Sequence, residues 1–194
     1  DKYCKSLDIQ WSASAWDIES IKFLQNYDIP FLKIPSDKSK DIEFIRKARE
    51  TDLPILISTG GTSLAEMELT FRQLDPNNTI IFQCTSEYPC PSENLNLRII
   101  NTLKEKFRVP IGFSSHHTSP IMSAMAIAYG ACSAEVHITL DRAMWGTDQL
   151  ASIESMGYAR IIRDTRIIEK SLGEPKKVVF KSEYEVMKKL RPIS

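Results

Sequence analysis

Six short apolar runs recur along this chain, and each is followed by a stretch with helical periodicity. The runs are rich in β-branched residues and bounded by turn residues, which predicts strands. Strands alternating with helices predict an α/β fold with parallel strands. A repeat of roughly 20–30 residues is typical of a TIM-type (β/α)₈ barrel, but an open doubly wound sheet also suits the pattern. The predicted strands are 8–13, 30–34, 54–58, 79–84, 109–113 and 132–139.

The stretches between these runs carry helix start and stop signals. Asp17 suits an N-cap, and Ser63 with Glu66 has the spacing of a capping box. Gly130 and Gly173 stand where helices commonly end. Residues 174–194 are rich in Lys, Pro and Glu, which predicts a linker or tail rather than another strand–helix unit. The predicted helices are 18–26, 41–50, 63–74, 97–107, 121–129 and 155–172.

Composition restricts the classes of partner. The chain has 194 residues, which suits one domain, and its 42% apolar content supplies a core. Its 25 basic residues balance 25 acidic ones without a basic cluster, so nothing indicates nucleic acid or a membrane surface as a partner. No apolar run approaches the roughly 20 residues that span a bilayer.

The cysteines indicate the redox compartment. They form no CxxC pair and no zinc spacing. Cys84 and Cys132 lie in apolar runs, so we predict that both are buried thiols. Reduced, structural cysteines and a polar N-terminus without a visible signal peptide predict a cytoplasmic protein. The four cysteines are Cys4, Cys84, Cys90 and Cys132.

The histidines cluster at predicted strand ends, where parallel α/β folds place their chemistry. Because side chains alternate along a strand, Glu135 and His137 are expected to point into the barrel mouth. The same alternation pairs Ser114 with His116. Two imidazoles at neighbouring strand ends can share a divalent ion, so we predict a metal held by His116 and His137. His117 falls on the other face and is expected to be structural.

Two further strand ends suit an anion. The run Ser58-Thr59-Gly60-Gly61 offers hydroxyls and glycine N–H groups, although by itself the pattern favours a simple tight turn over an anion site. Lys33 lies inside an apolar strand, where an unpaired charge is costly. It therefore needs an anionic ligand, an acidic neighbour or a Schiff base with a carbonyl. Tyr88 either lines a pocket or covers a loop, and Asp148 either shapes a turn or binds sugar hydroxyls.

Taken together, these strand ends resemble the sialic acid (N-acetylneuraminate) synthase family. The likeness rests on six motifs in family order over residues 8 to 175. The family versions are Lys-Ile-Ala-Ser, Ser-Thr-Gly, Cys-Thr-x-x-Tyr-Pro, Gly-Tyr-Ser-Asp-His, Glu-Lys-His-Phe-Thr-Leu-Asp and Gly-Pro-Asp. Here they correspond to 33–36, 58–61, 84–89, 112–116, 135–141 and 146–148.

The resemblance implies a barrel domain over 1–173 that lacks the family's first two strands. Residues 174–194 would then begin the linker to a C-terminal antifreeze-like domain, and the full-length protein would be a homodimer. The implied activity is that of a transferase, which condenses phosphoenolpyruvate with an N-acetylated sugar aldehyde such as N-acetylmannosamine. It forms a nine-carbon 2-keto acid, releases phosphate and uses Mn²⁺ or Mg²⁺.

The family pattern also assigns roles to individual residues. His116 and His137 match the metal ligands, and Glu135 matches an acid with a role in proton handling. Lys33 is expected both to bind phosphoenolpyruvate and to take part in catalysis. Tyr88 and Asp148 match positions around the sugar. The positions around phosphoenolpyruvate are Lys33, Ser58, Gly60, Ser86, Tyr88 and Ser114.

Several departures from the family pattern leave the substrate open. Related nine-carbon acids, such as legionaminic or pseudaminic acid, are therefore alternative products. Two other functions remain as alternatives: another metal-dependent or Schiff-base aldolase on the same barrel, and an inactive fragment or binding module. The departures are Lys38, Gln83, Ser86, Ser115 and His117.

Overall fold

The computed structural model describes residues 1–191 and centres on a five-stranded parallel sheet. Its strands neighbour one another in chain order, without reversal. A doubly wound sheet reverses its order partway, so this sheet is a singly wound one that curves into about half of a (β/α)₈-type barrel. The strands are β1 (Leu32–Ile34), β2 (Ile55–Ser58), β3 (Thr79–Cys84), β4 (Ile111–Ser115) and β5 (Ala134–Val136).

Helices cover the outer face of the sheet. Six of them lie within the predicted helical stretches, whereas the first and last helices of the described chain were not predicted. Asp17 caps α2 by accepting a hydrogen bond from the Ser20 N–H at 2.6 Å, and the Ser63–Glu66 capping box opens α4. The helices are α1 (Lys2–Ser6), α2 (Ile18–Leu24), α3 (Ile42–Arg49), α4 (Leu64–Phe71), α5 (Ile99–Phe107), α6 (Ile121–Ala128), α7 (Ser155–Leu172) and α8 (Lys181–Leu190).

The predicted tail contains α8, which buries none of its side chains. No strand lies between 174 and 191, so the tail adds no further strand–helix unit in this range. The end of the predicted tail, 192–194, lies outside the described residues. No helix within residues 1–191 is long and apolar enough to cross a membrane.

The main core lies between the sheet and its helices. Alternate strand residues point outward and meet the apolar faces of α3 and α5. Full burial of each such side chain stabilises the fold by roughly 1.5–3 kcal/mol. The largest buried members are Leu32, Ile34, Ile45, Ile57, Ile100, Leu103, Ile111 and Phe113.

The inner face of the sheet is filled by an aromatic ring beneath the strand ends. Phe82 is buried, and its ring lies where a Cβ on Gly112 would stand, at 2.7 Å from the nearest ring atom. Glycine on β4 is therefore what allows the ring to cross the interior. The Lys33 ammonium lies 5.5 Å from the centroid of the same ring, within the range of a cation–π contact.

The predicted first strand, 8–13, is wrong. The chain leaves α1 through Asp8, whose φ of 53° is left-handed, and then runs alongside β1 with a single parallel bridge between Ser14 and Lys33. This segment lies at the edge of the sheet, and only β1 flanks it within the described chain. Its backbone therefore forms no continuous ladder.

The predicted last strand, 132–139, is two strands. β5 ends at Val136, and β6 (Ile138–Thr139) leaves the main sheet to pair with β7 (Ile153–Glu154), which was not predicted. The prediction that Cys132 is buried is also wrong, because it is exposed beside the last strand of the sheet. Cys84 is buried, as predicted.

Candidate active site

An open cleft of about 350 Å³ lies at the carboxyl ends of the strands. Nine of the ten residues predicted for the site line it, and the tenth, Gly60, sits directly behind it. The structure thus brings the predicted residues together, while their roles remain predictions. The lining comprises Ser14, Trp16, Lys33, Pro35, Ser36, Asp37, Ser58, Cys84, Ser86, Tyr88, Ser114, His116, Glu135, His137 and Asp148.

Lys33 forms the floor of the cleft, with its charge partnered on two sides. Its Nζ donates to Ser58 Oγ at 2.6 Å and lies 3.4 Å from Glu135 Oε1. Ser114 Oγ donates to the same carboxylate oxygen at 3.0 Å. Of the three options for Lys33, an acidic neighbour is therefore present. The cation and the Ser58 hydroxyl also remain on the cleft wall, where an anionic ligand could reach them.

Three loops converge at Gly60. Its N–H donates to Ser36 Oγ at 3.0 Å, and a Cβ at this position would collide with the Ser86 hydroxyl. Only glycine permits this approach, which draws the loops after β1, β2 and β3 together. The glycine turn is thus more than a chain reversal, because it places two serine hydroxyls side by side on the cleft wall.

The two histidines predicted to bind metal face each other across the opposite wall. Their ring centroids are 5.2 Å apart. His116 Nδ1 lies 2.7 Å from the Thr85 carbonyl oxygen, which can only accept, so Nδ1 carries the proton and Nε2 keeps its lone pair. His137 Nδ1 lies 3.5 Å from Asp148 Oδ2. Both imidazoles are thus oriented through Nδ1 by an oxygen, as metal-ligating histidines usually are.

Burial sets the protonation of two cleft side chains. It lowers the pKa of His116, and the nearby His137 lowers it further, so neutral imidazole is favoured at this position. Burial also raises the pKa of Tyr88, which keeps its phenol a hydrogen-bond donor. The Tyr88 ring packs over His116 with centroids 3.9 Å apart. The aromatic side chain therefore shields one face of that imidazole from water.

His116 and His137 together fit a divalent ion only if water or a bound substrate supplies the remaining ligands. Within residues 1–191, no three His, Cys, Asp or Glu side chains form a metal-binding group. A neutral His116 and a carboxylate-oriented His137 supply two nitrogen donors at adjacent strand ends. Sites that bind substrate through the ion leave the remaining positions open, and this cleft has the room for that.

Sequence reasoning missed part of the cleft. Ser36 belongs to the quoted 33–36 motif, so its position after a strand end was a usable signal. Trp16 and Asp37 carried no such signal, because their position depends on how β1 lies beside the preceding segment. His117 lies outside the cleft, where its Nδ1 accepts from the Ser119 N–H at 2.9 Å and its Nε2 lies 3.0 Å from Ser92 Oγ.

The unreversed strand order and the position of the cleft define the class of protein. Barrels of the (β/α)₈ type carry their active sites at the carboxyl ends of the strands. Comparison with known families narrows that class. The NeuB family matches residues 1–177, which is most of the chain, and the chain therefore belongs to the NeuB family. This finding confirms the resemblance that the strand-end motifs predicted.

Known relatives are similar to this chain in sequence and in fold. Human N-acetylneuraminate-9-phosphate synthase is 34% identical over 192 residues, 97% of this chain and 54% of the human protein. Campylobacter jejuni N,N′-diacetyllegionaminic acid synthase is 32% identical over 186 residues, 93% of this chain and 56% of that enzyme. The crystal structure of Leptospira borgpetersenii N-acetylneuraminic acid synthetase with citrate has a TM-score of 0.89 at 29% identity, covering 97% of this chain and 67% of that one. The chain thus spans about half the length of the curated relatives it matches.

Proposed function

We propose that this chain carries the catalytic cleft of a synthase that condenses phosphoenolpyruvate with an N-acetylated sugar aldehyde. Membership of the NeuB family supports this proposal, and so do the names of its relatives. The observation that carries it is the arrangement of the cleft. The Lys33 ammonium and the Ser58 hydroxyl line one wall of the cleft, the anion side, whereas the His116 and His137 imidazoles line the opposite wall, the metal side.

The anion side would hold phosphoenolpyruvate. Lys33 offers its ammonium group, and Ser58 Oγ, which accepts from Lys33, keeps its own proton for the ligand. Ser36 likewise accepts from the Gly60 N–H and keeps a proton to donate. Preorganised donors of this kind stabilise negative charge that develops in a transition state.

The metal side would hold the sugar aldehyde. A divalent ion held by His116 and His137 would act as a Lewis acid on a carbonyl oxygen. Asp148 and Tyr88 border the same space and would contact sugar hydroxyls. Glu135 forms an ion pair with Lys33 and accepts a hydrogen bond from Ser114. Its carboxylate lines the same cleft as both histidines, where it would take up or return a proton.

The proposed reaction balances without an external oxidant or reductant. Carbon 3 of phosphoenolpyruvate forms a bond to the aldehyde carbon, whose oxygen takes up a proton. Water adds to carbon 2, and the phosphate then leaves with cleavage of its bond to that carbon. The product is a nine-carbon 2-keto acid when the aldehyde is a six-carbon sugar such as N-acetylmannosamine.

We also propose the finer assignments that the family pattern suggests. The ion would be Mn²⁺ or Mg²⁺, and the sugar would be N-acetylmannosamine or a related N-acetylated sugar. The protein would work in the cytoplasm, in keeping with four cysteines that are all free in the structure. The full-length protein would be a homodimer, without nucleic acid or membrane as a partner.

Binding to this chain tests the site first. Mn²⁺ and phosphoenolpyruvate are titrated calorimetrically, separately and together, with His137→Ala beside the wild type. His117→Ala is the matched control, because it removes an imidazole outside the cleft. We expect His137→Ala to abolish Mn²⁺ binding and His117→Ala to retain it. Equal loss in both variants would contradict the assignment of the metal side.

Turnover tests the reaction. Phosphate release from phosphoenolpyruvate is followed with N-acetylmannosamine and with diacetamido sugars, and the product is weighed by mass spectrometry. A mass equal to the sugar plus pyruvate, with one phosphate per product, is expected. A Schiff-base aldolase would behave differently, because borohydride would then trap a pyruvyl adduct on Lys33. Such an adduct would replace the proposed reaction with that alternative.

A further inference from the structure

Three hydroxyl groups, two of them buried and one half-buried, lie behind the anion side of the cleft without lining it. Ser39 is completely buried after β1, Thr70 is buried in α4, and Thr62 follows the glycine turn. A hydroxyl without a partner is costly in such a place. Each of the three therefore has a specific hydrogen bond, and those bonds all lead to Ser36 or to the loop that carries it.

The directions of these hydrogen bonds follow from proton counting. Ser39 Oγ donates its only proton to the Ser36 carbonyl oxygen at 2.6 Å. Its 2.7 Å contact with Thr62 Oγ1 must then be a bond that Thr62 donates. Thr70 Oγ1, from α4, donates to the Ser39 carbonyl oxygen at 2.6 Å. The chain of donors thus runs from α4 and the glycine turn into the loop after β1.

This chain of hydrogen bonds ends at Ser36, which lines the cleft. Ser36, held through its carbonyl, turns its hydroxyl to the Gly60 N–H at 3.0 Å. Ser36 and Gly60 belong to different strand–helix units, and no strand ladder extends as far as Ser36. Besides the Ser36–Gly60 bond itself, the hydrogen bonds of Ser39, Thr62 and Thr70 connect these two loops.

We propose that Ser39, Thr62 and Thr70 are positioning residues that hold the Ser36 loop against the Gly60 turn, and so set the affinity of the cleft for phosphoenolpyruvate. The identity of the ligand rests on the proposed function, whereas the positioning itself does not. Because the network extends to α4, Thr70, which lies outside the cleft, controls the distance between Ser36 and Gly60.

The chain offers a matched control for a purely structural role. Thr79 is also buried and donates its hydroxyl to a backbone carbonyl, that of Asp75, at 2.7 Å. It opens β3 and so lies at the amino ends of the strands, opposite the cleft. Thr70→Val and Thr79→Val therefore remove the same kind of bond at opposite ends of the sheet. In both variants a methyl group replaces the hydroxyl, and a cavity of about 10 Å³ borders Thr70 to accommodate it.

The test compares Thr70→Val, Thr79→Val and the conservative Thr70→Ser with the wild-type chain. Three quantities are measured: denaturant midpoint, amide hydrogen exchange of Gly60, and the dissociation constant for phosphoenolpyruvate in the presence of Mn²⁺. In Thr70→Val we expect Gly60 to exchange about tenfold faster and the dissociation constant to rise about five- to tenfold, as for one lost buried hydrogen bond. Thr70→Ser should restore both.

Thr79→Val should lower the denaturant midpoint to a similar degree while leaving Gly60 exchange and phosphoenolpyruvate binding unchanged. Equal effects of Thr70→Val and Thr79→Val on Gly60 exchange would overturn the positioning role. If the wild-type chain binds no phosphoenolpyruvate, the proposed function fails. In that case, the difference in Gly60 exchange between Thr70→Val and Thr79→Val still tests the positioning role.

Discussion

Among single residues, Lys33 decides which chemistry the cleft favours. Its ammonium is held between the Ser58 hydroxyl and the Glu135 carboxylate. A nucleophilic lysine needs a free amine and is usually activated by an apolar pocket or a neighbouring cation. Lys33 instead donates to a hydroxyl and pairs with a carboxylate. The contacts therefore support an anion-binding role for Lys33 over a Schiff base.

Asp148→Asn tests how the metal side is oriented. The carboxylate lies beside His137 Nδ1, and loss of such a partner typically costs about 10–100-fold in metal affinity. We expect Mn²⁺ affinity to fall by at least about tenfold on this scale, measured by calorimetric titration. Asp164→Asn, on α7 and outside the cleft lining, is the control. An unchanged affinity in Asp148→Asn would mean that His137 needs no carboxylate.

Gly112→Ala tests how the barrel interior is packed. The new Cβ would stand 2.7 Å from the Phe82 ring, and overpacking of this kind costs about 1–3 kcal/mol. Denaturant unfolding measures the loss in free energy of unfolding. Phe82→Leu removes the obstructing ring atoms, so Gly112→Ala should cost much less in that background. Additive costs of the two substitutions would contradict the proposed collision.

At the scale of elements, local signals account for the helices better than for the strands. Asp17 and the Ser63–Glu66 box were visible in the sequence, because capping involves residues only three positions apart. The division of 132–139 into β5 and β6 was not visible. That run is continuous in sequence, and its division depends on pairing with β7, which lies beyond a long loop.

The capping box of α4 predicts a pH-dependent contribution to stability. Hydrogen bonds from Ser63 lower the pKa of Glu66, so the ionised carboxylate stabilises the fold. That contribution is present above the ordinary glutamate pKa of about 4.3 and disappears as the pH falls through the lowered folded-state value. The difference in free energy of unfolding between wild type and Glu66→Gln should therefore shrink from pH 7 to pH 3.

Ser63→Ala should destabilise the chain by about 1 kcal/mol at neutral pH, as expected for loss of an N-cap. Chemical denaturation checks this value. Thr118→Ala, in the loop before α6, is a control without a capping bond in the structure.

The Glu66→Gln prediction has its own contrary outcome. If the difference in free energy of unfolding between wild type and Glu66→Gln does not change with pH, the Glu66 carboxylate contributes nothing through ionisation.

At the scale of the whole molecule, the decisive feature is that the strands follow one another without reversal. This order makes the carboxyl ends of all five strands meet around one cleft. It also leaves the sheet with two edges in the described chain, at β1 and β5. Cys132, beside the β5 edge, is accordingly exposed.

Thiol labelling tests this global pattern of exposure. Cys132 is exposed, whereas Cys84 and Cys90 are buried, and burial also raises the pKa of Cys90. In the folded chain we expect a disulfide reagent to modify Cys132 first, to modify Cys84, which borders the cleft, much more slowly, and to leave Cys90 unmodified until denaturant is added. Mass spectrometry of digested samples identifies the sites. Rapid labelling of Cys84 would contradict the packing of β3.

The sequence by itself determined the alternation of strands and helices, the caps and the polar strand ends, because each depends on periodicity or on neighbours a few residues apart. It also indicated that Glu135 and His137 share a face, since side chains alternate along a strand. Only the tertiary structure decided that Gly60 approaches Ser36, that Glu135 reaches Lys33 and that His137 lies beside Asp148. The first two contacts join different strand–helix units, and the third spans a loop of about ten residues. Their distances depend on the curvature of the sheet and the path of that loop, which no local pattern encodes.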